Sequence, residues 1–133
     1  MTDNAEALAC TCAHLADERK AEDIVVLDVR GLTVLTDYFV IATGRNRRQI
    51  DAIAEEINRQ VEKLGHSRLG MEGEATSGWV LIDLGEAVVH LFLPHTRRLY
   101  DLELLWGDAP KVAWRQAEPL TPVRQAEGPS TGG

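Results

Sequence analysis

The sequence predicts a single α/β domain, and three patterns in it carry that expectation. Two short runs, Ile24-Val25-Val26-Leu27 and Tyr38-Phe39-Val40-Ile41-Ala42, are apolar at successive positions, as in strands covered on both faces. Between the second run and Gly65, the residues Ile50, Ile53, Ala54, Ile57, Val61 and Leu64 recur at three-and-four spacing and make one helical stripe. Trp79–Leu84 and Ala87–Leu93, hinged on Gly85-Glu86, form a hairpin signal. A length of 133 residues leaves room for one ordinary domain, and an apolar content of 44% is enough to build its core.

Each element follows from local chemistry. Asn4 caps a first helix in which Ala5, Leu8, Cys12, Leu15 and Arg19 fall near helical spacing. That stripe is thin and alanine-rich, so the helix is expected to pack on the domain without forming its centre. The first strand ends at Arg30-Gly31, a loop runs through Leu32–Thr36, and the second strand closes at Gly44. Asn46 and Gln49 have the spacing of a capping box, and Gly65 sits where a left-handed C-cap belongs. Glu55 precedes Arg59 by four residues and predicts a surface pair. Arg47 and Arg48 stand in the first turn against the helix dipole and are expected to be solvated. Gly70-Met71-Glu72-Gly73-Glu74 reads as a connector and lacks the lysine of a phosphate-cradling loop. Thr96 is expected to cap a last helix with Leu99, Leu102 and Trp106 on one side and Gly107 at its end. The domain is expected to span 1–109. Pro119, Pro122, Pro129 and a Ser-Thr-Gly-Gly finish predict a disordered tail over 110–133.

Composition excludes several function classes. No apolar run approaches the roughly 20 residues of a membrane span. Met1-Thr2-Asp3-Asn4 lacks the basic start and apolar stretch of a secretory signal. Cys10 and Cys12 are too close in sequence for a useful disulfide, so a reducing, cytoplasmic location is expected. The net charge is −7 and the pI about 5.0, with basic residues clustered only at Arg45-Asn46-Arg47-Arg48 and Arg97-Arg98. That balance disfavours direct sequence-specific nucleic-acid binding and suits a basic protein partner. Cys10 and His14 lie one helical turn apart, but no second ligand pair follows, and the four histidines have no paired metal spacing. No nucleophile elbow occurs, and Asp37 and Asp83, the carboxylates at strand ends, have no partner at a certifiable spacing. No catalytic, cofactor or metal site is assigned.

A two-residue turn at Gly85-Glu86 pairs Leu84 with Ala87 and fixes the hairpin register. One face then carries Val80, Ile82, Leu84, Ala87, Val89 and Leu91, an aliphatic core side. The other carries Trp79, Leu81, Asp83, Val88, His90 and Phe92, with Trp79 opposite Phe92, Leu81 opposite His90 and Asp83 diagonal to His90. Two readings of that second face stand side by side. It is a protein-contact patch with an aromatic anchor and polar register groups, or a helix of the same chain covers it and Asp83 bonds His90.

Asp37-Tyr38-Phe39-Val40-Ile41-Ala42-Thr43-Gly44, Arg48-Gln49 and Ala52-Ile53-Ala54 together resemble the signature of the ribosomal silencing factor family, also called the Iojap family. Glu72-Gly73, Trp79, Ile82-Asp83, Val88-Val89-His90, Arg98-Leu99-Tyr100-Asp101-Leu102-Glu103 and Leu105-Trp106 continue it in order, so that the resemblance covers roughly Asp23 to Gly107. Arg45 stands where a serine is common in the family, and Glu86 where an aspartate is more usual. The resemblance implies a mixed sheet flanked by helices, similar to nucleotidyltransferases. It implies a translation repressor that binds the large ribosomal subunit through ribosomal protein L14, blocks joining of the small subunit, and is a homodimer when free. It further implies a partner-binding surface including Trp79 and Asp83. With their neighbours on the hairpin the candidate contact set is Trp79, Leu81, Asp83, Leu84, His90 and Phe92. The alternative is a magnesium-dependent, nucleotidyltransferase-like enzyme. Gly44 is followed by Arg45 and then Ile53-Ala54-Glu55-Glu56, which does not supply the acid pair of those enzymes.

Overall fold

The computed structural model describes residues 4–66, 70–74 and 77–120. Along the chain the elements are α1 (Asn4–Glu18), β1 (Glu22–Asp28), β2 (Tyr38–Thr43), α2 (Arg47–Lys63), β3 (Gly70–Glu74), β4 (Trp79–Asp83), β5 (Ala87–Phe92), α3 (Pro94–Leu99) and α4 (Leu102–Leu105). Among the described residues the strands form a five-stranded sheet in the order β1-β2-β5-β4-β3. Its one parallel pair is β2 with β5, and the other neighbours are antiparallel. The expected mixed α/β architecture is the observed one.

The two apolar runs occupy β1 and β2, and the most buried strands, β2 and β5, lie side by side in the interior of the sheet. One sheet face gives Val26, Tyr38, Val40, Ala42, Val80, Ile82, Leu84, Ala87, Val89 and Leu91 to the main core. α2 adds Ile50, Ile53, Ala54, Ile57 and Val61, the stripe read from spacing. Its ends follow the capping expectation. The Asn46 side chain accepts from the Gln49 N–H at 2.9 Å, and Gln49 Oε1 accepts from the Arg45 N–H at 2.6 Å. Gly65 has φ +89° directly after the helix.

Five expectations are corrected by packing. α1 is central to the core: Leu8, Ala9, Cys10, Cys12, Ala13 and Ala16 are fully buried. Small side chains let the helix lie close to β1, β2, β5 and α2 at once, so the alanines that thinned the stripe are what allow its burial. Burial in this setting pushes the Cys10 thiol up to about 11 and the Cys12 thiol up to about 12. The connector at Gly70–Glu74 is an edge strand on β4, where a side chain at Gly73 (φ +82°) would collide with the Trp79 carbonyl. Arg59 turns to Glu56 instead of Glu55. Glu56 also accepts from Arg19 at 2.8 Å and Gln60 at 3.1 Å, and the Arg19 hydrogen bond holds its carboxyl below the usual range.

The last helix is two short ones. α3 starts at Pro94 after Leu93, with Thr96 buried inside it and no side-chain cap, and α4 is capped separately by Asp101, which accepts from the Leu104 N–H at 3.1 Å. The fifth correction concerns the C-terminal boundary. Pro110–Leu120, expected to belong to a disordered tail, packs on the domain. Asp28 N–H donates to the Pro110 carbonyl at 2.9 Å and Val112 N–H to the Val26 carbonyl at 2.8 Å, covering the outer edge of β1. Trp114 is buried in the main core, donates to the Ile24 carbonyl at 3.2 Å and meets the His14 ring edge-on at 5.2 Å. The Leu120 N–H donates to Thr11 Oγ1 at 2.8 Å. Residues 121–133 of the expected tail lie outside the described residues.

A Trp114→Ala substitution is therefore expected to cost ~3 kcal/mol or more in urea unfolding, because a buried indole leaves a cavity against α1 and β1. Unchanged stability would show that the segment after Pro110 contributes nothing to the domain.

Candidate functional site

The hairpin turn places the second sheet face as its register requires. Leu84 N–H donates to the Ala87 carbonyl at 2.9 Å, and Gly85 takes φ +86° at the first turn position. Trp79 pairs with Phe92, Leu81 with His90 and Asp83 with Val88. On the β1–β2 half of this face, Leu27, Val29, Ile41 and Phe92 form a second small core, closed by Leu102, Trp106 and Ala109. Trp106 meets Phe39 edge-on at 5.4 Å. The β4 half is not closed in the same way: Trp79, Leu81, Asp83 and Val88 are all only partly buried.

The candidate contact residues divide accordingly. Trp79, Leu81 and Asp83 keep accessible surface. His90 and Phe92 share their face but are buried beneath them, at 5% and 0% exposure. Leu84 lies on the opposite, core-facing side. Buried side chains present nothing to a partner, so the accessible part of the candidate set is Trp79, Leu81 and Asp83, with His90 and Phe92 packed beneath them. The alternative covering by the chain's own helices is realised fully over the β1–β2 half and reaches Trp79 only in part, through Tyr100 at the end of α3. Asp83 does not bond His90; its Oδ1 accepts from the Gly85 N–H at 2.9 Å and holds the turn.

The indole of Trp79 sits among three rings. Its centroid lies 5.0 Å from Phe92, 4.8 Å from Tyr100 and 5.9 Å from His90, distances typical of aromatic clusters. Its Nε1–H donates to His90 Nδ1 at 3.2 Å. Beside it an open groove of about 290 Å³ is lined by Gly73, Ser77, Trp79, Leu81, Thr96 and Tyr100. Exposed apolar side chains also gather on α3 and α4: Leu99, Tyr100, Leu104 and Leu105 are 66%, 48%, 77% and 72% exposed, too much to be incidental on two short helices. Spacing alone put Leu99 on one side with Leu102 and Trp106 in a single helix; with the helix broken at Tyr100-Asp101, Leu99 is exposed while Leu102 and Trp106 pack inward. The adjacent apolar pair Leu104-Leu105 was the available signal for this exposed apolar surface.

Arg97 fixes the corner between α3 and α4. Its Nη1 donates to the Asp23 carbonyl at 2.6 Å and to Thr43 Oγ1 at 2.8 Å, and its Nη2 to Glu103 Oε1 at 2.8 Å. One planar guanidinium thus ties the corner to the ends of β1 and β2. Other chemistry is sparse. Among the described residues no group of three or more His, Cys, Asp or Glu side chains is arranged to hold a metal ion, and no helix is long and apolar enough to cross a membrane.

Among the described residues His90 Nε2 has no hydrogen-bond partner, and burial pushes the imidazole from 6.5 down to about 4. The folded state therefore favours the neutral ring. Its contribution to stability is complete above pH 6.5 and is lost as the pH falls toward 4. Urea unfolding at about pH 5 should show ~2 kcal/mol less stability than at neutral pH, and His90→Leu should remove most of that difference. An unchanged slope in the variant would place the titration elsewhere.

Comparison with known proteins identifies the family and the shared fold. The family model described as "Ribosomal silencing factor during starvation" matches residues 2–131. The ribosomal silencing factor of Bacillus subtilis is 43% identical over 107 residues, covering 80% of this chain and 91% of the relative. The chloroplastic Iojap protein of Zea mays is 39% identical over 112 residues, 83% of this chain and 49% of its own length. A crystal structure of a Chromobacterium violaceum protein superposes with a TM-score of 0.75 at 34% identity, covering 79% of this chain and 88% of that one. One from Bacillus halodurans gives 0.67 at 37% identity, covering 77% and 92%. With the match running over nearly the whole sequence and the fold shared, the chain belongs to the ribosomal silencing factor family.

Proposed function

We propose that this chain represses translation by binding the large ribosomal subunit at ribosomal protein L14 and sterically blocking the small subunit from joining. The observation that supports the reading best is the half-open sheet face, where Trp79, Leu81 and Asp83 remain accessible above a buried aromatic floor. An anchored indole with a carboxylate at its edge is the composition of an interface centre, where a few residues supply most of the affinity. The net charge of −7 suits a basic ribosomal protein as the direct contact in place of RNA. The family is named for a regulator, and the proposed action needs no bond made or broken. When free in the cytoplasm the chain is proposed to form a homodimer, for which the exposed Leu99, Leu104 and Leu105 offer apolar area.

Purified large subunits saturated with the chain should fail to form whole ribosomes with added small subunits in a sucrose gradient. Trp79→Ala should weaken capture of the large subunit by ~2 kcal/mol or more, about thirtyfold, while retaining a cooperative unfolding transition. Unimpeded joining at saturation would remove the proposal.

A further inference from the structure

We infer that His90 is a positioning residue for the contact face, holding the Trp79 indole in its binding orientation by accepting the ring N–H. The inference rests on the proposed role of Trp79 and goes beyond it, since His90 itself is buried and touches no partner.

The tilted ring contacts of Trp79 with Phe92 and Tyr100 are weakly directional, and a partly exposed indole on a strand has more than one rotamer open to it. The Nε1–H to Nδ1 bond at 3.2 Å is the directional restraint on that ring. His90 is well suited to impose it, because its own ring is fixed. Phe39 meets it edge-on at 5.0 Å and 90°, Phe92 lies stacked at 6.2 Å and 9°, and Trp106 backs Phe39. A run of packed rings thus connects α4 to the indole.

The tautomer follows from the same bond. An acceptor at Nδ1 means that the neutral ring carries its proton on Nε2, and this Nε2 is buried without a partner among the described residues. An orphaned buried donor costs stability, and at this interior position on β5 an aliphatic side chain would fill the space without that cost. Packing alone therefore gives no reason for an imidazole here. Restraint of the indole does.

The test compares wild type with Trp79→Ala, His90→Leu, His90→Gln and His90→Asn. Thermal unfolding, the Trp79 indole N–H resonance and affinity for purified large ribosomal subunits are read in each. His90→Leu removes the acceptor at similar volume. It should keep or raise the melting temperature, shift the indole resonance to that of an unbonded N–H, and weaken binding tenfold or more. His90→Gln, whose amide falls near the Nε2 position, should behave the same way and takes the place of the Leu variant if that one does not fold. His90→Asn presents its oxygen near the Nδ1 position and should restore both resonance and affinity. Wild-type affinity in the Leu or Gln variant despite a shifted resonance, beside weak binding by Trp79→Ala, would overturn the positioning role alone. So would an Asn variant that recovers the resonance and not the binding. Wild-type affinity in Trp79→Ala would overturn both the contact role of the indole and the inference built on it.

Discussion

Pairing of β4 with β5 through Gly85-Glu86 sets which side chains of the hairpin meet the core and which remain for other molecules. Strand side chains alternate, so a slip of one residue would send Trp79, Leu81 and Asp83 toward α1 and α2 and leave Val80 and Ile82 on the outer face. The aliphatic side fills the core on α1 and α2, and that burial makes the register costly to change. Asp83 reinforces it locally by accepting the Gly85 N–H. Orientation of the proposed contact face is thus a consequence of burial on the opposite side of the same strands.

The second face is divided by how far the polypeptide after β5 reaches. Arg97 holds the α3–α4 corner against the ends of β1 and β2, so Leu102 and Trp106 close the β1–β2 half of the sheet. Beyond that cover the aromatic cluster continues outward through His90 and Trp79 to Tyr100. Rigid support below and access above is the combination that an interface anchor needs, since an ordered side chain loses little freedom on binding.

Much of this was legible in the residues. Alternation from Trp79 to Phe92 identified both faces, and the glycine at the turn fixed their register, because a two-residue turn leaves one pairing. The stripe from Ile50 to Val61 and the Asn46 cap defined α2 for equally local reasons. What stayed hidden depends on partners distant in sequence. Gly70–Glu74 has no strand propensity of its own and becomes a strand by pairing with β4. Pro110–Leu120 looks like a tail by composition, yet Trp114 and the edge of β1 hold it. The burial of His90 and Phe92 likewise depends on rings from β2 and the α3–α4 corner, which no spacing within the hairpin reports.

The most direct measurement places a photoreactive residue at Leu81, on the proposed contact face, and at Glu55, exposed on α2 across the sheet, and irradiates each with large ribosomal subunits. The account predicts a crosslink from position 81 to a large-subunit protein, L14, and none from position 55. A crosslink from position 55 alone, or from position 81 to ribosomal RNA alone, would contradict it.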